Sequence, residues 1–258
     1  VWQNSPTATT LIHRTMLTHF AVNWVPACAG MTRIFETTFL THPARKSTMY
    51  TPISFVEADL SILYSCIEEN SFATLVTTDS EGLAVSHLPL LLDPEAGPNG
   101  TLIGHMAKAN PQWREIANGD ALAIFHGPHA YISPGWLNEQ NVVPTWNYVA
   151  VHVTGKVQLV EGQTELLEIV RQYVNFYEAS MSAPWQLESA DPEFIGKLLD
   201  AIVGFTIEIT SIEGKWKLNQ NHSNERRQKI VNGLETRPGE NSAQIADLMR
   251  ATLDAANS

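Results

Sequence analysis

The sequence predicts an α+β chain that is mainly β: a small antiparallel barrel of about six strands, with helices at its start, middle and end. Two observations carry this expectation. Several short runs alternate apolar and polar residues with the period of two that marks half-buried strands. The longest of them, 146–160, has Gly155 at the middle of its apolar face, where a closing barrel needs a bend or bulge.

In chain order, Ser54-Phe55-Val56-Glu57 reads as a capping box, and Val56, Leu60, Leu63, Tyr64 and Ile67 follow at helical spacing, giving a helix over 55–69. Runs 72–78 and 83–92 flank the turn Asp79-Ser80-Glu81-Gly82 and read as a hairpin. Run 101–106 is a third strand. Asn110 then caps a short helix with Pro111 at its first position, and 120–127 returns as a strand. In the long run, Val149, Val151, Val153, Val157 and Leu159 face one way, while Tyr148, His152, Thr154 and Lys156 face the other. The apolar spacing of 163–179 is helical, 205–210 alternates as a strand, and the residues after Glu213-Gly214 supply a hairpin partner for it. Polar helices over about 223–235 and 242–255 end the chain, and no internal repeat is present.

The 258 residues are 44% apolar and 17% charged, which is the composition of a globular chain, and the formal charge is −11. That balance disfavours non-specific binding to nucleic acid or an anionic membrane. Two cysteines, Cys28 and Cys66, cannot make a disulfide framework, and no apolar run is long enough to span a bilayer, so the expectation is a cytoplasmic protein. Cys66, beside Ile67 on the first helix, reads as buried. The charge is unevenly placed: residues 1–48 carry +3 and the remainder −14. Residues 1–48 also hold ten threonines and no sustained period. They can be read as a signal peptide, or through Ala27-Cys28-Ala29 as a lipoprotein signal, but His19 and Asn23 break the apolar run. The stretch 22–33 resembles a translated bacterial intergenic repeat, which would make 1–48 a disordered or spurious extension with Met49 as the natural start. The expected organisation is therefore 1–48 as extension, 49–222 as barrel domain and 223–258 as a helical extension.

Some residue groups suggest chemistry. The run from His105 to Pro111 puts an imidazole and the Lys108 ammonium at a strand end before a helix start, a plausible anion site, although a solvated lysine beside an ordinary cap has the same pattern. His126 and His129 flank Gly127-Pro128; they lack the further ligands zinc requires and read as a turn. Trp136, Trp146 and Trp216 suit either the walls of a flat-ligand pocket or the core. No nucleophile elbow, phosphate-binding glycine loop or dinucleotide fingerprint is present. Arg226-Arg227-Gln228-Lys229 is the one basic cluster of the body and reads as a solvated helix face.

Taken together and in order, the strings ATLVTT, SHLPL, GHMAKANPQW, GPHAYISP, VPTWNY, AVHVTGK, IVGFTIEI and KWKLNQN closely resemble the PaiB-type family of FMN-binding negative transcriptional regulators, from about Met49 to about Asn232. The resemblance implies an FMN-binding split β-barrel like that of pyridoxamine-phosphate oxidases and flavin reductases, usually a homodimer with FMN at the subunit interface. It places His105, Met106, Ala107, Lys108 and Asn110 on the phosphate side, with Ser86 and His87 on the neighbouring strand. Tyr131, Trp146 and Asn147 would approach the ring, and Lys217 and Asn219 would close the site. It also implies a regulatory role, which an acidic body without a helix-turn-helix pattern suits better as an indirect, flavin-dependent sensor than as a direct DNA binder. The alternative is a flavin reductase or oxidase-like oxidoreductase using FMN.

Overall fold

Asp59, not Ser54, starts the first helix. The Glu57 carboxylate, expected to complete a capping box, instead accepts from Ala58 N and Asp59 N, both at 2.9 Å, and Asp59 Oδ1 accepts from Ser61 N at 2.8 Å. The predicted helix over 55–69 is therefore shortened to α1 (Leu60–Glu69), preceded by a 3-10 turn (Ile53–Phe55) and a two-residue strand, β1 (Val56–Glu57). These features come from a computed structural model, which describes residues 49–78, 82–117 and 119–254. The expectations for residues 1–48, Cys28 included, lie outside the described residues.

The hairpin forms as expected from β2 (Phe72–Thr78) and β3 (Leu83–Pro89), paired antiparallel from Phe72 opposite Pro89 to Thr78 opposite Leu83. The run 83–92 is not one strand, however. It breaks at Leu90, whose N–H donates to Ser71 O, and resumes as β4 (Leu91–Asp93), which pairs with β5 (Thr101–Ala107) instead of β2. After α2 (Gln112–Glu115) come β6 (Asp120–Ile132) and β7 (Thr145–Val160), then α3 (Gln163–Glu178), α4 (Pro192–Leu199), β8 (Ile202–Lys217), α5 (Asn224–Glu235) and α6 (Glu240–Asp254). The sheet order is β3-β2-β6-β7-β8-β5-β4, with β1 on β8. Because β3 and β4 are one chain segment handed from the first edge to the last, the sheet closes into a barrel.

Two expectations fail for one physical reason, that the chain before and after a supposed turn stays paired with a neighbouring strand. Glu213-Gly214 is no hairpin turn: β8 runs straight through, with Gly214 opposite Val151 on one side and Glu57 on the other. Gly127-Pro128 is no turn either, but a bulge within β6, whose pairing with β7 resumes at His129 opposite Tyr148. Gly155 does mark an irregularity, as expected, with the β7–β8 register shifting between Thr154 and Gly155. The region 187–199, unread from the sequence, forms a 3-10 turn (Leu187–Ser189) and α4, capped by Asp191.

Alternation directs Leu75, Leu102, Phe125, Val151, Val153 and Ile207 inward, and the buried faces of α1, α5 and α6 join the same core through Leu63, Ile67, Ile230, Leu234, Ile245 and Met249. On the opposite side of the sheet, α3 lays Ile169 and Tyr173 over Leu91 and Ile103. The basic cluster on α5 is only partly a solvated face, with Gln228 exposed and Lys229 half-exposed. Arg227 is 3% exposed, its guanidinium bonded to Thr252 Oγ1 and to Met249 O of α6, because α6 packs directly over it. No helix among the described residues is long and apolar enough to cross a membrane.

Candidate functional site

The expected phosphate-side residues lie on β3, on β5 and in the turn after β5; the structure joins Ser86 to Asn110 but turns His87 and His105 to the other face of the sheet. Ser86 faces inward and is fixed by a polar knot. Its hydroxyl donates to Gln112 Oε1 at 2.5 Å and accepts from Asn110 Nδ2 at 2.8 Å, while Gln112 Nε2 donates to Thr77 Oγ1 at 2.9 Å and to Ala84 O at 3.3 Å. Asn110 Oδ1 accepts from Gln112 N at 3.0 Å, so Asn110 caps the turn as expected. With four residues, α2 is too short for an appreciable dipole, and Gln112, which the sequence reading overlooked, is the 4% exposed centre of the knot. A glutamine two residues beyond an Asn-Pro start carries no local signal of burial.

His87 faces the other way, with Nδ1 3.1 Å from Thr74 Oγ1. His105 also faces outward, under α3. Its ring meets Tyr173 edge-on with centroids 4.7 Å apart, and its buried Nδ1 has no hydrogen-bond partner among the described residues. Burial holds its pKa below the ordinary imidazole range. Tyr173 was not singled out from the sequence, yet its hydroxyl lies 2.7 Å from Pro89 O and 2.9 Å from Ile103 O and can donate to either, clasping β5 to the end of β3. Met106 is buried in the barrel, Ala107 is exposed, and Lys108 is tethered by its backbone N–H to Ala201 O at 2.8 Å, with Nζ reaching Asp200 O at 3.4 Å.

The expected ring-side residues form a second group. Trp146 is 52% exposed and meets Tyr131 edge-on at 5.9 Å; Arg237 stacks over Tyr131. Lys217 Nζ donates to Thr145 Oγ1 at 2.7 Å and to Trp146 O at 2.5 Å, fixing the start of β7. Asn219, buried and in left-handed backbone with φ 61°, lines a neighbouring cavity with Lys217. Asn147 does not join them. Adjacent residues of a strand point to opposite faces, so with Trp146 outside, Asn147 is fully buried against Met249, its Oδ1 without a partner among the described residues. Of the three tryptophans, Trp146 is exposed, Trp216 is in the core, and Trp136 lies against Gly233 of α5, where any side-chain carbon would collide with its ring. Among the described residues no three His, Cys, Asp or Glu side chains converge as a metal site.

A closed antiparallel barrel carrying peripheral helices and a His- and Lys-bearing strand end belongs to the split-barrel class of flavoproteins. Among solved structures, the flavocytochrome Anf3 from Azotobacter vinelandii has this fold, with a TM-score of 0.52 at 12% identity, over 63% of this chain and 69% of that one. Residues 49–211 match the family described as "Putative FMN-binding domain". The chain is 36% identical over 206 residues to the protease synthase and sporulation protein PAI 2 of Bacillus subtilis, covering 80% of this chain and 98% of that protein. It is 30% identical over 242 residues to an uncharacterized protein of Emericella nidulans, covering 78% and 96%. The chain belongs to the PaiB-type FMN-binding family, and its cofactor is FMN.

Proposed function

We propose that this protein is a homodimeric flavin-dependent regulator of the PaiB type that lowers transcription indirectly, with FMN bound across the subunit interface. The observation that carries the flavin's placement is the buried, unpartnered Nδ1 of His105 on the strand that leads to Lys108. A phosphate there takes a charge-assisted hydrogen bond from Lys108, and the imidazole offers a further polar contact, while Ser86, Asn110 and Gln112 hold the turn rigid from within. His87 is on the neighbouring strand, and Met106 and Ala107 contribute backbone. The exposed Trp146 and Tyr131 offer an aromatic wall to the ring, with Lys217 bracing it from behind, and Asn147 acts from the core side by fixing the strand.

A homodimer accounts for the two residue groups, since a two-fold axis lets the strand-end group of one copy face the aromatic group of the other. It also covers Phe72, Leu83 and Val85, which are 68%, 75% and 54% exposed on β2 and β3. An indirect role is supported by the partial engagement of the α5 basic residues within the fold. Arg227 is buried, Arg226 Nη1 lies 3.7 Å from Glu139 Oε2, and Lys229 pairs with Glu225 at 3.0 Å. The visible spectrum of the purified full chain after FMN addition and desalting tests the flavin reading: retained flavin is expected, and colourless protein overturns it. Bleaching of that flavin by NADH or NADPH would replace the regulator with the oxidoreductase alternative.

A further inference from the structure

Beside the aromatic group lies a cavity of about 450 Å³, between the β6–β7 connection and the β8–α5 connection, whose lining includes Lys217 and Asn219, the two residues expected to close the flavin site. Its walls divide by chemistry. Ile132, Pro134, Leu137 and Ile230 form an apolar floor, while Lys217, His222 and Arg226 bring cationic or ionisable nitrogen to one side. The cationic side is underpaired. Lys217 spends two of its three ammonium N–H groups on Thr145 and Trp146, leaving one. The Arg226 Nε–H is buried with no partner among the described residues, and its nearest carboxylate, Glu139, is at 3.7 Å, beyond hydrogen-bond length. Asn219 also lines the cavity and is 7% exposed. Burial and then Lys215 hold the Lys217 pKa below the ordinary lysine range, and burial and then Arg226 lower that of His222, against an opposing pull from Glu139. In both, burial is the larger cause and the neighbouring cation the smaller one.

Buried polar groups are ordinarily satisfied, so the buried, unpartnered Arg226 Nε–H and the spare Lys217 N–H at the lining of this half-open cavity call for an acceptor. The volume is that of a small-molecule pocket, and apolar walls with a few convergent polar groups are the usual composition of one. We propose that this cavity is a second ligand site, distinct from the flavin's, which binds a small organic anion: a carboxylate or phosphate on an apolar body. Its distinctness rests on the flavin placement argued above; its chemistry rests on the cavity alone. Lys217 joins the two, lining the cavity while holding the backbone of Trp146, so the occupant sits next to the proposed ring site, where an effector or a substrate would be read.

The test is calorimetric titration of benzoate, and separately of phenyl phosphate, into the full chain with and without bound FMN. Saturable binding of either probe at one per chain is expected, in both forms, with affinity about tenfold or more lower in Arg226→Gln and in His222→Gln while FMN content stays constant. A preference for one probe assigns carboxylate or phosphate as the recognised group. Since Arg226 also faces Glu139, Val143→Glu at the exposed rim gives a variant that leaves that contact intact; it should weaken binding by repulsion. Absence of saturable binding up to about 10 mM overturns the proposal, as does binding that all three variants leave unchanged. Displacement of the probe by FMN, one for one, overturns it too, by making the cavity the flavin's own. Binding of the probe by a chain that takes up no FMN would sustain the anion site while the flavin reading fails.

Discussion

Lys108 is the residue at which the flavin reading is most exposed to test. Its backbone is tied to Ala201, whereas its ammonium reaches only the Asp200 carbonyl at 3.4 Å, so replacing it disturbs little of the fold. Lys108→Ala should weaken FMN binding by about 1–3 kcal/mol, the scale of one charge-assisted hydrogen bond, measured by fluorescence titration; an unchanged dissociation constant removes the phosphate from this strand end. Three histidines set a second expectation. His105, His152 and His222 all have pKa values lowered from 6.5, with burial the largest cause in each. The unfolded chain then binds more protons than the folded one just below that pH, so the stability held above 6.5 is lost as pH falls through the window beneath it. Urea midpoints of the FMN-free protein should drop between pH 7 and pH 5, and a flat profile would contradict the burial. Residue type and chain position single out Lys108, His105 and Asn110 in the sequence, and of these the Asn110 cap is borne out. Gln112 and Tyr173 were not legible there, because their importance lies in partners that are distant in the chain: Thr77 and Ala84 for one, Pro89 and Ile103 for the other.

Among the elements, alternation identified β2, β5 and β7, and a helical stripe identified α3, because each is amphipathic within its own span. The errors fall where pairing overrides local signals. Gly214 and Gly127-Pro128 look like turns in isolation, but β1 and β7 beside the first and β7 beside the second keep the chain extended. Leu90 looks like the interior of one strand, yet it is the point at which the sheet closes. Gly155 was legible because its role is also local: with no side chain it lets β7 approach β8 at the register shift, and a Cβ there would overlap the Glu208 carbonyl and crowd Ile207, 2.6 Å away. Gly155→Ala should therefore destabilise the fold by about 1–3 kcal/mol, as overpacking does, seen as a lower urea midpoint with an unchanged slope. Wild-type stability in that variant would mean that the two strands separate there at no cost.

For the molecule as a whole, the acidic charge and the exposed apolar strands point to the same partner. A chain at −11 disfavours polyanions, and on α5 Arg227 is buried while Arg226 and Lys229 face Glu139 and Glu225, so that cluster offers a nucleic acid few donors. Apolar side chains on β2 and β3 call for a matching apolar face, which a second copy supplies without bringing charge of either sign into contact at that patch. Val85 is central to this, opposite Val76 in the hairpin and more than half exposed. Val85→Asp would put a carboxylate where two copies are proposed to meet, twice over because of the symmetry, and desolvating those charges opposes association. A lone chain gains nothing and loses little from a charge on an open sheet face, so the folding midpoint should hardly move. Sedimentation should then show a dimer for the natural sequence and a monomer for the variant. Because the strand-end group and the aromatic group are proposed to meet only between copies, the monomer should also lose most of its FMN. A variant that sediments as a monomer yet keeps its flavin would confine the binding site to one chain, and one that remains a dimer would move the interface to another face.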